Sequence, residues 1–137
     1  MPRVFEDLSI EQDLDVGGPA SLARLDTVAE ATATRVCTSA DYGKLILLSY
    51  EGAVAVTLPA NAALAGSCID FLVIGSDACD PTISTATADT LITFNDLDGD
   101  SVSYATTHRV GAYVRFISNG TYWVAVNLGS TTMTVND

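Results

Sequence analysis

Three aspartates at alternating positions are the residues of this chain best suited to bind a metal ion. They are Asp96, Asp98 and Asp100, within the segment NDLDGDS. Ca²⁺ prefers carboxylate oxygens, and an EF-hand loop spaces them in this way. That loop also needs a glycine at its sixth position and a glutamate at its twelfth, where this chain has Ser101 and Thr107. The pattern therefore favours a hairpin turn at Asp98-Gly99 with solvated acids over a metal site.

Groups that could catalyse a reaction are otherwise few. His108 is the single histidine, so acid–base catalysis would need a carboxylate or thiol brought beside it by folding. The segment TTHRV around it is typical of the entry to a strand. The chain has no G-x-S-x-G, P-loop or G-x-G-x-x-G motif. We expect no enzyme activity, catalytic residue, metal or cofactor. A small glycan hydrolase that uses the loop aspartates is the enzymatic alternative.

The cysteines also lack the number and spacing of a disulfide framework or a metal site. Cys37, Cys68 and Cys79 are odd in number and lack C-x-x-C spacing, which argues against a disulfide framework and against a structural zinc site. We expect free thiols, most of them buried.

The composition is that of a folding, strongly acidic chain. Of 137 residues, 48% are hydrophobic, enough for one domain with a single core. Seventeen acids against six bases give a formal net charge of −11. Because affinity for phosphate backbones and anionic lipids comes from Lys and Arg, we expect no nucleic acid and no membrane partner. No run of 18 apolar residues occurs, and the N-terminus has acids where a signal peptide would be apolar.

Residues 1–35 differ from the rest and predict an N-terminal arm. Up to residue 34, seven acids stand against Arg3 and Arg24, so 7 − 2 leaves a charge of −5. The segment SLARLDTVAEATAT fits a short helix capped by Ser21 or an extended chain, with the extended form preferred. From 36 to 137, short apolar runs alternate with turn residues, as in β-strands. We predict an all-β domain there, an antiparallel β-sandwich or jelly-roll-like barrel.

Asn119-Gly120 predicts a hairpin near the end of this domain. A type I′ turn needs positive φ at both central residues, which Asn-Gly tolerates at low cost. If Ser118 pairs with Thr121, Phe116 and Trp123 share one side of the sheet. The triplet NGT also matches a glycosylation acceptor, but the turn is favoured. Trp123 could stack on a sugar, although a tryptophan in the core or at an interface is the preferred interpretation.

Both sides of this hairpin carry large apolar side chains, whereas a sandwich strand normally turns a polar row to water. One side can pack in the protomer core, and the other would then be covered by identical subunits. Removing apolar surface from water contributes roughly 25 cal/mol per Å². We therefore predict a homo-oligomer. The predicted interface residues are Tyr113, Ile117, Tyr122, Val124 and Val126.

The segments YGKLILLSYEGAVAVTLPANAALAGSCIDFLV, DTLITF and GAYVRFISNGTYWVAV together resemble a pattern of small β-rich proteins of tailed bacteriophages. In that pattern a strand ends in a T-L-P turn, a small-residue loop leads into an apolar strand, and an S-N-G-T-x-W hairpin closes the domain. Such modules occur in head fibres, capsid decoration proteins and tail fibres. The resemblance covers roughly residues 41 to 128 and concerns architecture.

The resemblance implies a homotrimer that binds the major capsid protein on the outer surface of the mature head, after synthesis in the host cytoplasm. The short chain favours this decoration or cement role over a long fibre. Arm strands could be added to a sheet edge of the capsid. The arm residues expected to bind the capsid are Phe5, Leu8, Ile10, Leu14 and Val16. The alternative is a receptor-binding or adhesin domain of a phage fibre, with the tips near Asp96–Asp100 and Thr106–His108 contacting host glycan or protein.

Overall fold

The computed structural model describes residues 26–60, 65–129 and 132–137, and this part of the chain is all-β. Two short 3-10 helices, Ser39–Asp41 and Thr106–His108, interrupt the strands. The twelve strands in the described residues are β1 Asp26–Glu30, β2 Thr34–Val36, β3 Lys44–Leu48, β4 Gly52–Thr57, β5 Cys68–Val73, β6 Cys79–Ser84, β7 Leu91–Thr93, β8 Asp96–Gly99, β9 Ser101–Tyr104, β10 Tyr113–Ser118, β11 Trp123–Asn127 and β12 Met133–Asn136.

The strands form two sheets around one core. The seven-stranded sheet has the order β1-β3-β5-β10-β11-β7-β8, and the five-stranded sheet has the order β12-β9-β6-β4-β2. Inward side chains from both sheets make a single cluster, so the architecture is a two-layer sandwich. Both sheets are mixed and neither closes into a barrel. The predicted all-β class is confirmed, but the antiparallel arrangement and the jelly-roll-like barrel are wrong.

The first six strands explain this difference. They alternate between the sheets, so β1, β3 and β5 lie parallel in one sheet, and β2, β4 and β6 lie parallel in the other. The chain thus winds as a flat coil with two strands per turn. Parallel strands need a crossover between them, and here a strand of the opposite sheet supplies it. The later strands are mainly antiparallel, with β10 placed between β5 and β11.

Alternation along the strands builds the core. In β4, Val54 and Val56 are buried while Ala53 and Ala55 are exposed, which is the two-residue period of a strand with one covered face. Phe71 of β5 meets Phe116 of β10 edge to face, with ring centroids 5.8 Å apart. These two rings join the coiled first half of the domain to the antiparallel second half.

The closing hairpin has the predicted faces but a different turn. Ser118 pairs with Trp123 and Phe116 with Ala125, which shifts the register by two residues from the prediction. The Asn119 N–H donates to the Tyr122 carbonyl, and Asn119 Oδ1 accepts from the backbone of Thr121 and Tyr122. Gly120 alone has positive φ here, so the type I′ turn on Asn119-Gly120 is wrong. A shift by two keeps every side chain on its predicted face.

A second hairpin also turns at an unpredicted place. Thr93 of β7 pairs with Asp96 of β8 around Phe94-Asn95, both with positive φ (47° and 72°). Asp98 and Gly99 lie within β8, so the predicted turn at Asp98-Gly99 is wrong. Phe94 is 56% exposed and strained, because an aromatic residue rarely adopts the left-handed region. Asn95 favours such a turn but Phe94 does not, whereas Asp98-Gly99 is a strong turn pair, which is why the prediction placed the turn there.

The coil begins within the segment assigned to the arm. Residues 26–30 form β1, the extended conformation preferred for this stretch. An ion cluster at the corner fixes the passage to β2: Arg35 binds Glu30 at 2.7 Å and Asp41 at 2.6 Å. Asp41 also caps the first 3-10 helix together with Thr38. The predicted capsid-binding residues Phe5, Leu8, Ile10, Leu14 and Val16 lie outside the described residues.

Candidate interaction face

The side of the seven-stranded sheet that points away from the core is the candidate functional site, and we call it the outer face. Strand registers place its side chains in three rows across the sheet. One row is Ala29, Leu47, Leu72 and Tyr113; the middle row is Thr27, Leu45, Asp70, Arg115 and Val126; and the third row is Cys68, Ile117, Val124 and Ile92. Large apolar side chains dominate the first and third rows, and the middle row contains Leu45 and Val126.

Four of the five predicted interface residues lie together on this face. Tyr113, Ile117 and Val124 are half-buried, and Val126 is 37% exposed. The fifth, Tyr122, directly precedes β11 and is also half-buried. Their role at an interface stays a prediction.

Sequence reasoning missed the neighbouring strands of the same face. Leu45 and Leu47 of β3 are half-buried, as are Leu72 of β5 and Ile92 of β7. The nearly continuous apolar run from Lys44 indicated that β3 is covered on both sides, which was the available clue. The registers place Leu45 and Leu47 on the same surface as the hairpin.

The middle row contains the only charged side chains of the outer face among the described strands β1, β3, β5, β7, β10 and β11. Arg115 Nε and Nη2 donate to the two carboxylate oxygens of Asp70, at 2.7 and 2.8 Å. The Tyr113 hydroxyl also donates to Asp70. The Asp70 side chain is 2% exposed, whereas that of Arg115 is 37% exposed. A planar two-point bond of this kind fixes both the position and the orientation of the guanidinium.

Electrostatics stabilises the charge of Arg115. The hydrogen bond to Asp70 is the largest influence on the Arg115 guanidinium and raises its pKa. Burial raises the pKa of the Tyr113 hydroxyl, and its bond to Asp70 acts in the same direction. Tyr113 therefore remains a donor and Arg115 remains cationic at neutral pH.

The cysteines are free thiols, as predicted, and differ in access. Cys37 and Cys79 are buried, whereas Cys68 is half-buried on the outer face. Burial is the main cause that raises the pKa of the Cys37 thiol to about 11. Cys68 is thus the thiol best placed to report whether the outer face is covered.

The aspartates singled out in the sequence are only partly brought together. Carboxylate oxygens of Asp96, Asp98 and Asp137 lie within 4.8 Å of one another. Asp100 is used elsewhere, because its carboxylate accepts from the Asp89 N–H at 2.6 Å. A hydrogen bond to Asp96 raises the pKa of Asp98, as expected for crowded carboxyl groups. Exposed aspartates in this arrangement are compatible with a solvated tip.

The two short segments that carry the bacteriophage resemblance contact each other. Trp123 is fully buried, and its Nε1 donates to the carbonyl of Pro59 at 2.9 Å. The T-L-P turn and the N-G-T-x-W hairpin are therefore parts of one packing unit. A sugar-stacking role for Trp123 is excluded by its burial. His108 ends the second 3-10 helix. The sequence had suggested the entry to a strand at this position, and that prediction is wrong.

No protein family matches the chain, and no curated protein is significantly similar to it. Within the described residues, no helix is long and apolar enough to cross a lipid bilayer.

Proposed function

We propose that the protein is a structural component of a bacteriophage particle, a capsid decoration (cement) protein that forms a homotrimer through its outer face. The observation that carries the self-association is the apolar character of that face. The bacteriophage assignment depends on the sequence pattern around Thr57–Pro59 and Ser118–Trp123, whose two parts contact each other in the fold.

Charge favours a second copy as the occupant of the outer face. Asp70 and Arg115 cancel, so the three rows of the outer face carry no net charge in a chain of net charge −11. Two outer faces that meet across these rows bring no net charge together. A homo-oligomer joined through this face follows from apolar burial without an electrostatic cost.

The proposed mechanism is mechanical. A trimer on the shell would contact several capsid subunits at once, and multiple weak contacts raise the overall affinity without any single strong contact. Binding that favours the mature shell over other states stabilises it by mass action. The arm residues named above would add capsid contacts, and the acidic remainder would keep the particle soluble.

The first experiment tests self-association. Sedimentation velocity at micromolar concentration should show a trimer for the native chain and a monomer for Val124→Asp. Thr82→Asp is the matched control, because it adds the same charge on the exposed side of the five-stranded sheet. A native chain that stays monomeric would remove the basis of the proposal.

The second experiment tests the partner. The protein is mixed with emptied mature heads of the parent phage and, separately, with host cells, and each mixture is pelleted. Co-sedimentation with heads and a raised thermal stability of those heads are the expected results. Binding to cells alone would replace decoration with adhesion.

One observation favours the adhesin as a second candidate. Phe94 and Leu97, in and beside the β7–β8 turn, are 56% and 70% exposed, and Phe94 has a strained backbone. Strain and exposed apolar side chains at a turn are typical of a contact site. Phe94→Asn should relieve the strain and abolish cell binding if this tip contacts the host. Unchanged cell binding by that variant would exclude the tip.

A further inference from the structure

We infer that Arg115, held by Asp70 and Tyr113, determines how copies of the chain are oriented when their outer faces meet. This inference rests on the proposed self-association and adds the group that selects the arrangement. Apolar rows alone bring two copies together but do not fix their relative orientation, because aliphatic side chains can slide over one another at little cost. A polar group in the middle of such a face removes that freedom.

The geometry leaves one part of Arg115 for a partner. Nε and Nη2 face Asp70, and among the described residues no acceptor is bonded to Nη1. The Arg115 side chain is 37% exposed and lies in the middle row, between the two apolar rows. Because Asp70 is buried and accepts three hydrogen bonds, the guanidinium is already positioned before any partner arrives.

Covering the face would remove water from Nη1. A buried N–H without an acceptor is strongly unfavourable, so an oxygen of the second copy has to meet it. The same face offers hydroxyl oxygens at Thr27, in the row of Arg115, and at Tyr113 in the adjacent row. Alignments that bring such an oxygen to Nη1 are favoured, and alignments that place an aliphatic side chain there are rejected. Arg115 thus acts as a positioning residue.

The decisive variant is the double substitution Asp70→Leu with Arg115→Met, which replaces the pair by apolar groups and leaves no unpaired charge. Native mass spectrometry and sedimentation should show that it still associates but gives several oligomer sizes, where the native chain gives one. The labelling rate of Cys68 with a maleimide is a second measurement, since an ordered interface protects this thiol uniformly and mixed alignments do not.

Arg115→Lys is the conservative variant. It keeps the positive charge beside Asp70 but loses Nη1, so we expect the concentration for half-association to rise about 10- to 100-fold, the cost of roughly one lost charge-assisted hydrogen bond. Arg109→Lys is the matched control, because Arg109 makes an ion pair with Asp80, outside the outer face. Unfolding of dilute monomer is measured for each variant to separate association from stability.

The outcomes distinguish the two proposals. One oligomer size and native affinity in both Arg115 variants would overturn the positioning role and leave the self-association intact. A monomeric native chain would overturn both. Mixed sizes in the double variant with an unchanged Arg109→Lys control would support both.

Discussion

The two sheets of this protein turn very different surfaces outward. The five-stranded sheet presents small and polar side chains such as Ala53, Thr82 and Thr134, with Val36 at its edge as the apolar exception. The seven-stranded sheet presents Leu, Ile, Val and Tyr around one ion pair. Both sheets cover the same core, so core packing cannot explain the difference. A surface that only needs to be soluble looks like the first, and the contrast with the second is the basis of the proposed self-association.

Polar contacts follow the same division. On the five-stranded sheet, Asn136 Nδ2 donates to the hydroxyls of Ser101 and Ser103 at 3.2 and 3.3 Å; the bond to Ser103 is exposed and the bond to Ser101 is half-buried. On the seven-stranded sheet, Asp70 is nearly inaccessible and its bonds are charge-assisted. A hydrogen bond in reach of water is easily replaced, whereas a buried charge depends on its partners. The two surfaces should respond unequally to similar substitutions.

The largest effect should come from the core that both sheets share. Phe116→Ala removes the ring that meets Phe71, and we expect the free energy of unfolding to fall by about 3–5 kcal/mol. Urea unfolding followed by Trp123 fluorescence and by far-ultraviolet circular dichroism should give coincident transitions. Separate transitions would show that the sheets do not unfold as one unit.

The sequence predicted most strands and the inward faces, because alternation such as Val54, Val56 and Leu58 depends only on local geometry. It did not predict which strands are neighbours. Only residues 49–51 separate β3 from β4, and a connection this short suits a hairpin as well as an arch into the other sheet. The outer face was half predicted, since Ile117 and Val124 are paired in the hairpin, whereas Leu45 joins them only through parallel pairing.

A second prediction concerns the thiol of Cys37, which directly follows β2. Cys37 is buried and its pKa is raised from 9.0 to about 11. Because the pKa of this thiol is higher in the folded than in the unfolded chain, its contribution to the free energy of unfolding is fully present below pH 9. That contribution is lost as the pH rises towards 11. The loss is about 2–3 kcal/mol at 1.36 kcal/mol per pKa unit. Chemical unfolding of the native chain and of Cys37→Ala between pH 8 and 11 should show a steeper decline for the native chain. Equal slopes would contradict this.

A third prediction concerns the seam where the sheets meet. A Cβ at Gly99 would lie 2.5 Å from Val135 Cγ2, so Gly99→Ala overpacks the contact between β8 and β12. We expect a loss of about 1–2 kcal/mol in unfolding free energy. Adding Val135→Ala should recover part of it, measured by thermal unfolding of single and double variants. If the losses of the two single variants simply add in the double variant, the strain does not come from the contact between residue 99 and Val135.

The smallest effect is expected on the polar surface. Asn136→Ala removes two neutral hydrogen bonds to serine hydroxyls, one of them exposed to water, so the loss should be about 0.5–1 kcal/mol. The same urea titration measures it. A loss above about 2 kcal/mol would mean that this surface is also covered, and the contrast between the two sheets would fail.

The winding of the first strands has one further consequence. Within the described residues, β1 and β2 end their sheets side by side, and each leaves backbone N–H and C=O groups without a neighbouring strand. Parallel coils with open ends can stack on one another into fibrils. The charged corner of Glu30, Arg35 and Asp41 sits at this end, where docking of another coil would have to dehydrate it. Loss of Arg35 would leave the Glu30 and Asp41 carboxylates without their shared cation, so this end of the coil would loosen while its charge still opposed stacking.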